Sequence, residues 1–234
     1  MDNSTHNIKQ DTDLVFIGDP HGRYDDILAV LYKHKPEHVI LLGDMTFNEP
    51  ADSVLFSVTA DIWWIHGNHD CDREHWHDNL FASTLNQNNL HGKTKNIAGY
   101  NLAGLAGVFR GKIWQPPNSP RYLAREDYIQ KMRPAERWRN GLPMKQRASI
   151  FPEDFEKLSS QQADILVSHE APSSHRHGFD ALDELAMNMG VKYIVHAHHH
   201  IDYQAELANG IQVLGVADGS VARLDGTLLY SRNA

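Results

Sequence analysis

The sequence contains one cysteine, Cys71, in 234 residues. A lone thiol excludes an intrachain disulfide framework and a zinc site built from cysteines. Long apolar runs are also missing, which argues against a membrane span. The opening stretch, MDNSTHNIKQDTD, has neither the basic nor the apolar region of a secretory signal. Together these absences point to the cytoplasm. There is no internal repeat and no low-complexity tract. What remains is 41% hydrophobic and 22% charged, an ordinary globular composition, so a substantial core is expected. The length suits a single domain over 1–234 that carries a sizeable insertion.

The net charge of −8 averages over an uneven chain. From Gly104 to Ile150, ten Lys or Arg residues face three acids, a local +7 that leaves −15 elsewhere. Such a bias reflects either an anionic partner or a solvated helical face. Several prolines and two short helical patterns make 111–150 a basic insertion or cap.

Apolar runs alternate with amphipathic ones. DLVFIG (13–18), HVILLG (38–43), DIWWIHG (61–67), ADILVSH (163–169) and KYIVHA (192–197) read as short buried strands. YDDILAVLYKHK (24–35) puts Ile27, Val30 and Leu31 on one helical face. EPADSVLFSVTA (49–60) and FDALDELAMNMG (179–190) offer two further helices, the second stopped by Gly190. YNLAGLAGVF (100–109) is another strand candidate, and Asn209-Gly210 and Asp225-Gly226 mark hairpins near the C-terminus. This alternation predicts an α/β fold with a mostly buried sheet.

Almost every buried strand ends in a residue that can bind a metal. FIGDPHG presents Asp19 and His21, LLGDM presents Asp44, and IHGNHD presents Asn68 and His69. LVSHEAP presents His169, and IVHAHHH presents His196 and His198. Carboxyl ends of strands are where α/β sheets place ligand sites. On an extended chain, residues i and i+2 face one side about 6.6 Å apart, a span that flanks two cations about 3.5–4 Å apart. His196 and His198 fit this relation, whereas His199 is expected to face away and His200 to lie past the strand end. Asp19 and His21 share the spacing, and the turn at Pro20 lets both converge on one ion.

The order D-x-H, G-D, G-N-H-D, H, H-x-H over residues 19–198 resembles the calcineurin-like metallophosphoesterases. The resemblance implies an α/β architecture: a β-sandwich flanked by helices in four αββα layers, with a binuclear centre. Carried over position by position, it implies Asp19, His21 and His198 on the first metal. Asn68, His169 and His196 are implied on the second, with Asp44 bridging both and His69 beside the scissile phosphate. Two divalent ions against two carboxylates leave an excess of about +2, which suits phosphate and lowers the pKa of bound water to about 7. The Asp, Asn and His donors fit Mn, Fe, Zn or Ni better than Ca.

The expected function is hydrolysis of phosphomonoesters or phosphodiesters. A metal-bridging hydroxide attacks in line, and His69 donates a proton to the leaving oxygen with Asp70 as its candidate orienting partner. Expected substrates are phosphorylated small molecules, nucleotides or phosphoproteins. His175 and His177, on the loop after His169, and Arg110, Arg137 and Arg139, in the basic segment, are candidate substrate contacts. Ser/Thr phosphatases and dinucleoside tetraphosphatases read G-D-x-V-D-R-G at the second motif. Here GDMTFNE sets Phe47 in place of the second Asp and lacks the Arg, so that branch stays an alternative. Val195 stands where many relatives have Gly before H-x-H. A non-catalytic scaffold that binds nucleic acid or a protein partner is the other alternative, because Trp114, Tyr122, Tyr128 and Trp138 lie among the basic residues.

Overall fold

Strand β1 (Leu14–Ile17) is buried along its whole length and lies at the middle of a five-stranded sheet. The structure is a computed structural model and describes residues 14–232. The opening segment read for a secretory signal, including Asp13 at the head of the first strand, lies outside the described residues. After β1 come α1 (Asp25–His34), β2 (His38–Leu41), α2 (Ala51–Val54), β3 (Asp61–Trp64) and α3 (Glu74–Phe81). The chain continues through β4 (Thr94–Ile97), β5 (Tyr100–Leu105), α4 (Arg125–Gln130), α5 (Pro152–Ser159), β6 (Ile165–Ser168), α6 (Asp180–Asn188) and β7 (Tyr193–His196). It closes with β8 (Tyr203–Glu206), β9 (Gln212–Gly215), β10 (Val221–Arg223) and β11 (Leu228–Tyr230).

Two mixed sheets result. The first runs β11-β10-β1-β2-β3, with β1, β2 and β3 parallel and β10 antiparallel to β1. The second runs β4-β5-β6-β7-β9-β8, with β5, β6, β7 and β9 parallel. Alternation along each strand explains why the apolar runs are continuous. Leu14, Phe16 and Ile40 of the first sheet pack against Leu102, Ile165, Val167 and Val195 of the second. Val15, Ile17, Val39 and Leu41 turn the other way, onto Ile27 and Leu31 of α1 and Leu80 of α3. Leu166 and Ile194 likewise turn outward onto Leu158 of α5 and Leu182 and Leu185 of α6. Strands covered on both faces carry no polar alternation.

The helix expected over 49–60 shrinks to Ala51–Val54. Beyond it Val58 and Thr59 are β-branched, Ser57 is a weak helix former, and Phe56 is 84% exposed, so no packing rescues the poor propensity. The segment 111–150 has only the six-residue α4 and two short 3-10 turns, Pro134–Glu136 and Met144–Ala148. They gather around a small core of Ile113, Tyr128, Leu142 and Phe151. Both hairpins form where Asn-Gly and Asp-Gly placed them, with Gly210 and Gly226 at positive φ. Among the described residues no helix is long and apolar enough to cross a membrane.

Candidate functional site

The parallel strands of both sheets deliver their carboxyl ends to one rim. There the backbone leaves extended geometry abruptly. Asp19, His21, Asp44, His198 and His200 all take positive φ, between 37° and 69°. Non-glycine residues seldom adopt this region, and they persist there only when the surroundings over-determine them. Here they do so mutually. His21 N–H donates to the Asp44 carbonyl at 3.0 Å, His198 N–H to Asp19 Oδ2 at 2.9 Å, and His69 N–H to Asp44 Oδ1 at 2.7 Å. Glycine is required where the imidazole of His169 presses on the backbone. A Cβ on Gly67 would stand 2.2 Å from Asp44 Oδ1 and 2.5 Å from His169 Cε1.

Three groups of ligand atoms form among the described residues, two of them built on an aspartate. In the first, Asp19, His21 and His200 each bring an atom within 4.8 Å of the others. His200 Nε2 lies 3.3 Å from Asp19 Oδ2 and 3.3 Å from His21 Nε2. The second holds Asp44, His169 and His198. His169 Nδ1 donates to the Leu42 carbonyl at 2.8 Å, which aims Nε2 at Asp44 Oδ2 (3.5 Å) and Asn68 Oδ1 (3.3 Å). Fixing one ring nitrogen to a carbonyl while the other faces oxygens is how a histidine ligand is oriented.

The donors suit divalent cations. Asp19 is fully buried, and its Oδ1 accepts no hydrogen bond. A buried carboxylate oxygen without a partner is costly, and a cation held by neutral imidazoles beside it would relieve that cost. Burial opposes a charge on His169, yet Asp44, Asp19 and the Leu42 carbonyl outweigh it and hold its pKa up to about 10. Without metal, therefore, a proton sits where the carboxylates need positive charge, and a cation must displace it. The apparent metal affinity should rise with pH up to about 10. Calorimetry in buffers of different ionisation enthalpy should count close to one proton released per second-cluster cation, and a pH-independent affinity would contradict this.

The expected pairing of His196 with His198 shifts by two residues. Strand β7 stops at His196, so the extended-chain spacing ends there, and left-handed turns at 198 and 200 set the side chains instead. His196 joins neither cluster. Its Nδ1 donates to the Ala197 carbonyl at 3.0 Å, and its Nε2 accepts from Tyr203 Oη at 2.7 Å, which leaves no lone pair for a metal. Ala197 carried the signal for this register: the small residue directly before H-x-H is Ala197, which makes the pair His198 and His200.

Asp70 also differs from expectation. Its two oxygens accept from Thr46 N–H (2.8 Å) and Gly67 N–H (2.9 Å), so it braces the loops rather than His69. Burial and Asp44 push its pKa up to about 7. The partner of His69 is Asp72, whose Oδ2 lies 2.6 Å from His69 Nδ1. His69–Cys71 is a 3-10 turn, in which residues three apart eclipse, and that spacing is readable in HDCD.

Of the candidate substrate contacts, Arg139 pairs with Glu74 and Asp78 of α3, and Arg137 donates to the Ile129 and Met132 carbonyls. Both are committed to holding the basic segment in place. Arg110 has a buried Nε without a hydrogen-bond partner, as does Arg137. His175 stacks on His199 with centroids 4.0 Å apart, and His177 lies beside them, so both flank the H-x-H turn. His199 groups with Glu170 and His198, and burial pushes Glu170 up to about 7.

A model of the calcineurin-like phosphoesterase family matches residues 12–202 of the chain. An uncharacterised protein of Haemophilus influenzae is 39% identical over 216 residues, which span 92% of this chain and 96% of that one. A dimetal phosphatase from Danio rerio shares the fold at a TM-score of 0.57 and 12% identity, over 90% of this chain and 92% of its own. The protein TT1561 of Thermus thermophilus does so at 0.56 and 14%, over 92% and 96%.

Proposed function

Because the chain belongs to the calcineurin-like phosphoesterase family, we propose that it hydrolyses phosphate esters at a two-cation centre on the strand rim. Asp19, His21 and His200 would hold one cation, and Asn68, His169 and His198 the other, with Asp44 shared between them. Bound divalent cations would supply positive charge to the phosphate and acidify coordinated water. The chain's own residues do the rest. Asp44 and the Leu42 carbonyl fix His169, while His198 N–H holds Asp19 in place. His69, whose ring lies 5.6 Å from that of His21, is the group we assign to protonate the leaving oxygen. Asp72 accepts from its Nδ1 and stabilises the imidazolium, the form in which Nε2 also carries a proton to give to the leaving oxygen. The segment 111–150 is read as a cap beside this centre.

The observation that carries this reading is the pair of adjacent Asp–His clusters built from strands of both sheets. Its test is metal content together with hydrolysis of p-nitrophenyl phosphate and its bis-ester after loading with Mn, Fe, Zn or Ni. Uptake of fewer than two cations and no hydrolysis of either ester would sink it. His69→Asn should lower kcat about 10²-fold or more on alkyl phosphates and far less on p-nitrophenyl phosphate, which leaves without a proton. Asp72→Asn should show the same leaving-group dependence at smaller amplitude, and equal losses on both substrates would remove the proton-donor role.

Two alternatives lose support. Phe47 is 1% exposed and stacks on Tyr24 at 4.8 Å, so the position that carries a carboxylate in Ser/Thr phosphatases is core here. Tyr128 is buried with Tyr122 packed edge-on against it, while the half-buried Trp114 and Trp138 pack on Phe109 and Phe155 and on His77, which weakens the case for a nucleic-acid scaffold.

A further inference from the structure

A cavity of about 460 Å³ separates the β3 edge and α3 from the basic segment and α5, and none of the candidate metal ligands lines it. Its size falls within the range of small-molecule sites, about 300–1,000 Å³. The charges on its walls are unevenly satisfied. Arg125 pairs with Glu153 and Asp154 at 2.7 Å each. His91 Nδ1 accepts from Ala106 N–H at 3.1 Å, so its Nε2 carries the proton and faces Asp154 Oδ1 at 3.2 Å. Both acids are therefore engaged.

Two cations on the same walls are not matched. Lys157 lines the cavity from the last turn of α5, and among the described residues its ammonium has no acid within 4.0 Å. Arg147 spends Nε on His77 Nε2 at 3.1 Å and lies over the Trp138 ring, but among the described residues it meets no carboxylate. The inner wall adds a third unmet group. His66 is 5% exposed, and its Nδ1 is buried without a hydrogen-bond partner. Phe81 and Leu142 supply an apolar wall.

We infer that this cavity is a second ligand site, for a small organic oxyanion whose charged head is held by Arg147 and Lys157 and whose apolar body lies against Phe81 and Leu142. Arginine and lysine together favour a phosphate or carboxylate head. The site also gives the basic segment a use, since most of its other arginines are tied to acids or carbonyls.

The test is calorimetric titration of the full-length protein with phenylphosphonate and with orthophosphate at constant ionic strength. Wild type and Asp44→Asn should both show saturable binding at this site, because the substitution disables the rim centre and leaves the cavity intact. Lys157→Glu should weaken that binding at least about tenfold in both backgrounds, and Lys157→Arg should restore it. Lys157 is exposed, so its replacement spares the fold. Phenylphosphonate should bind more tightly than orthophosphate; equal affinities would overturn the apolar half of the assignment. Binding that disappears with Asp44→Asn, or that Lys157→Glu leaves unchanged in wild type, would assign the anion to the rim and overturn the site altogether.

Discussion

Replacing His200 with alanine should strip the cation from the Asp19 cluster and lower kcat/KM by at least about 10²-fold. His196→Gln should leave both cations bound. His200 is 47% exposed at its side chain and touches Asp19 and His21, so its loss removes a donor without opening the core. His196 is 1% exposed and ties β7 to Tyr203, so its loss disturbs packing rather than coordination. The expected cost for His196→Gln is stability, about 1–3 kcal/mol for a buried polar group left unpaired. Metal content by mass spectrometry and the melting temperature separate the two outcomes. A His196 variant that loses a cation, or a His200→Ala variant that keeps both, would return the ligand pair to its original register.

Asp44→Asn should cost more, about 10³-fold in kcat, because Asp44 is the carboxylate proposed to be shared by both cations. The amide also cannot reproduce the contacts. One Asp44 oxygen accepts from His69 N–H and the other faces His169 Nε2, whereas asparagine offers a single acceptor. The metal-free protein adds a pH signature. His169 is raised above 6.5 when folded, so its contribution is complete below pH 6.5 and fades as pH climbs to about 10. Despite burial, His169 and His69 hold the Asp44 carboxyl below its usual 3.8, so its contribution is present above that value and is lost in stronger acid. The destabilisation by Asp44→Asn should therefore peak between about pH 4 and 6.5 and shrink by pH 10. A cost that stays flat over this range in urea titrations would show that the pair is not ionised.

Much of this site was legible in the chain because the strands are buried on both faces. Leu14–Ile17, His38–Leu41 and Ile165–Ser168 announce themselves as apolar runs, and the residues after them, Asp19, Asp44 and His169, fall on the rim. Illegible were features set by irregular backbone. His198 and His200 owe their convergence to positive φ, which no two-residue period encodes. Asp72 reaches His69 because that loop winds as a 3-10 turn, and an extended reading sends attention to Asp70 instead. Arg137 and Arg139 look alike as charges. Only tertiary contacts reveal that a helix end and two acids of α3 already claim them. The helix expected over 49–60 failed for the converse reason, since an apolar pattern does not overcome weak propensity where nothing covers Phe56.

The proposed donors come from both halves of the sandwich: Asp19, Asp44 and Asn68 follow strands of the first sheet, and His169, His198 and His200 follow strands of the second. A cation bound there acts as a bolt through two plates. Loading the rim would then resist the sheets sliding past one another, and a cation that binds only the folded chain would raise its stability. Mechanical integrity of the sandwich and affinity at its edge become one quantity seen from two ends.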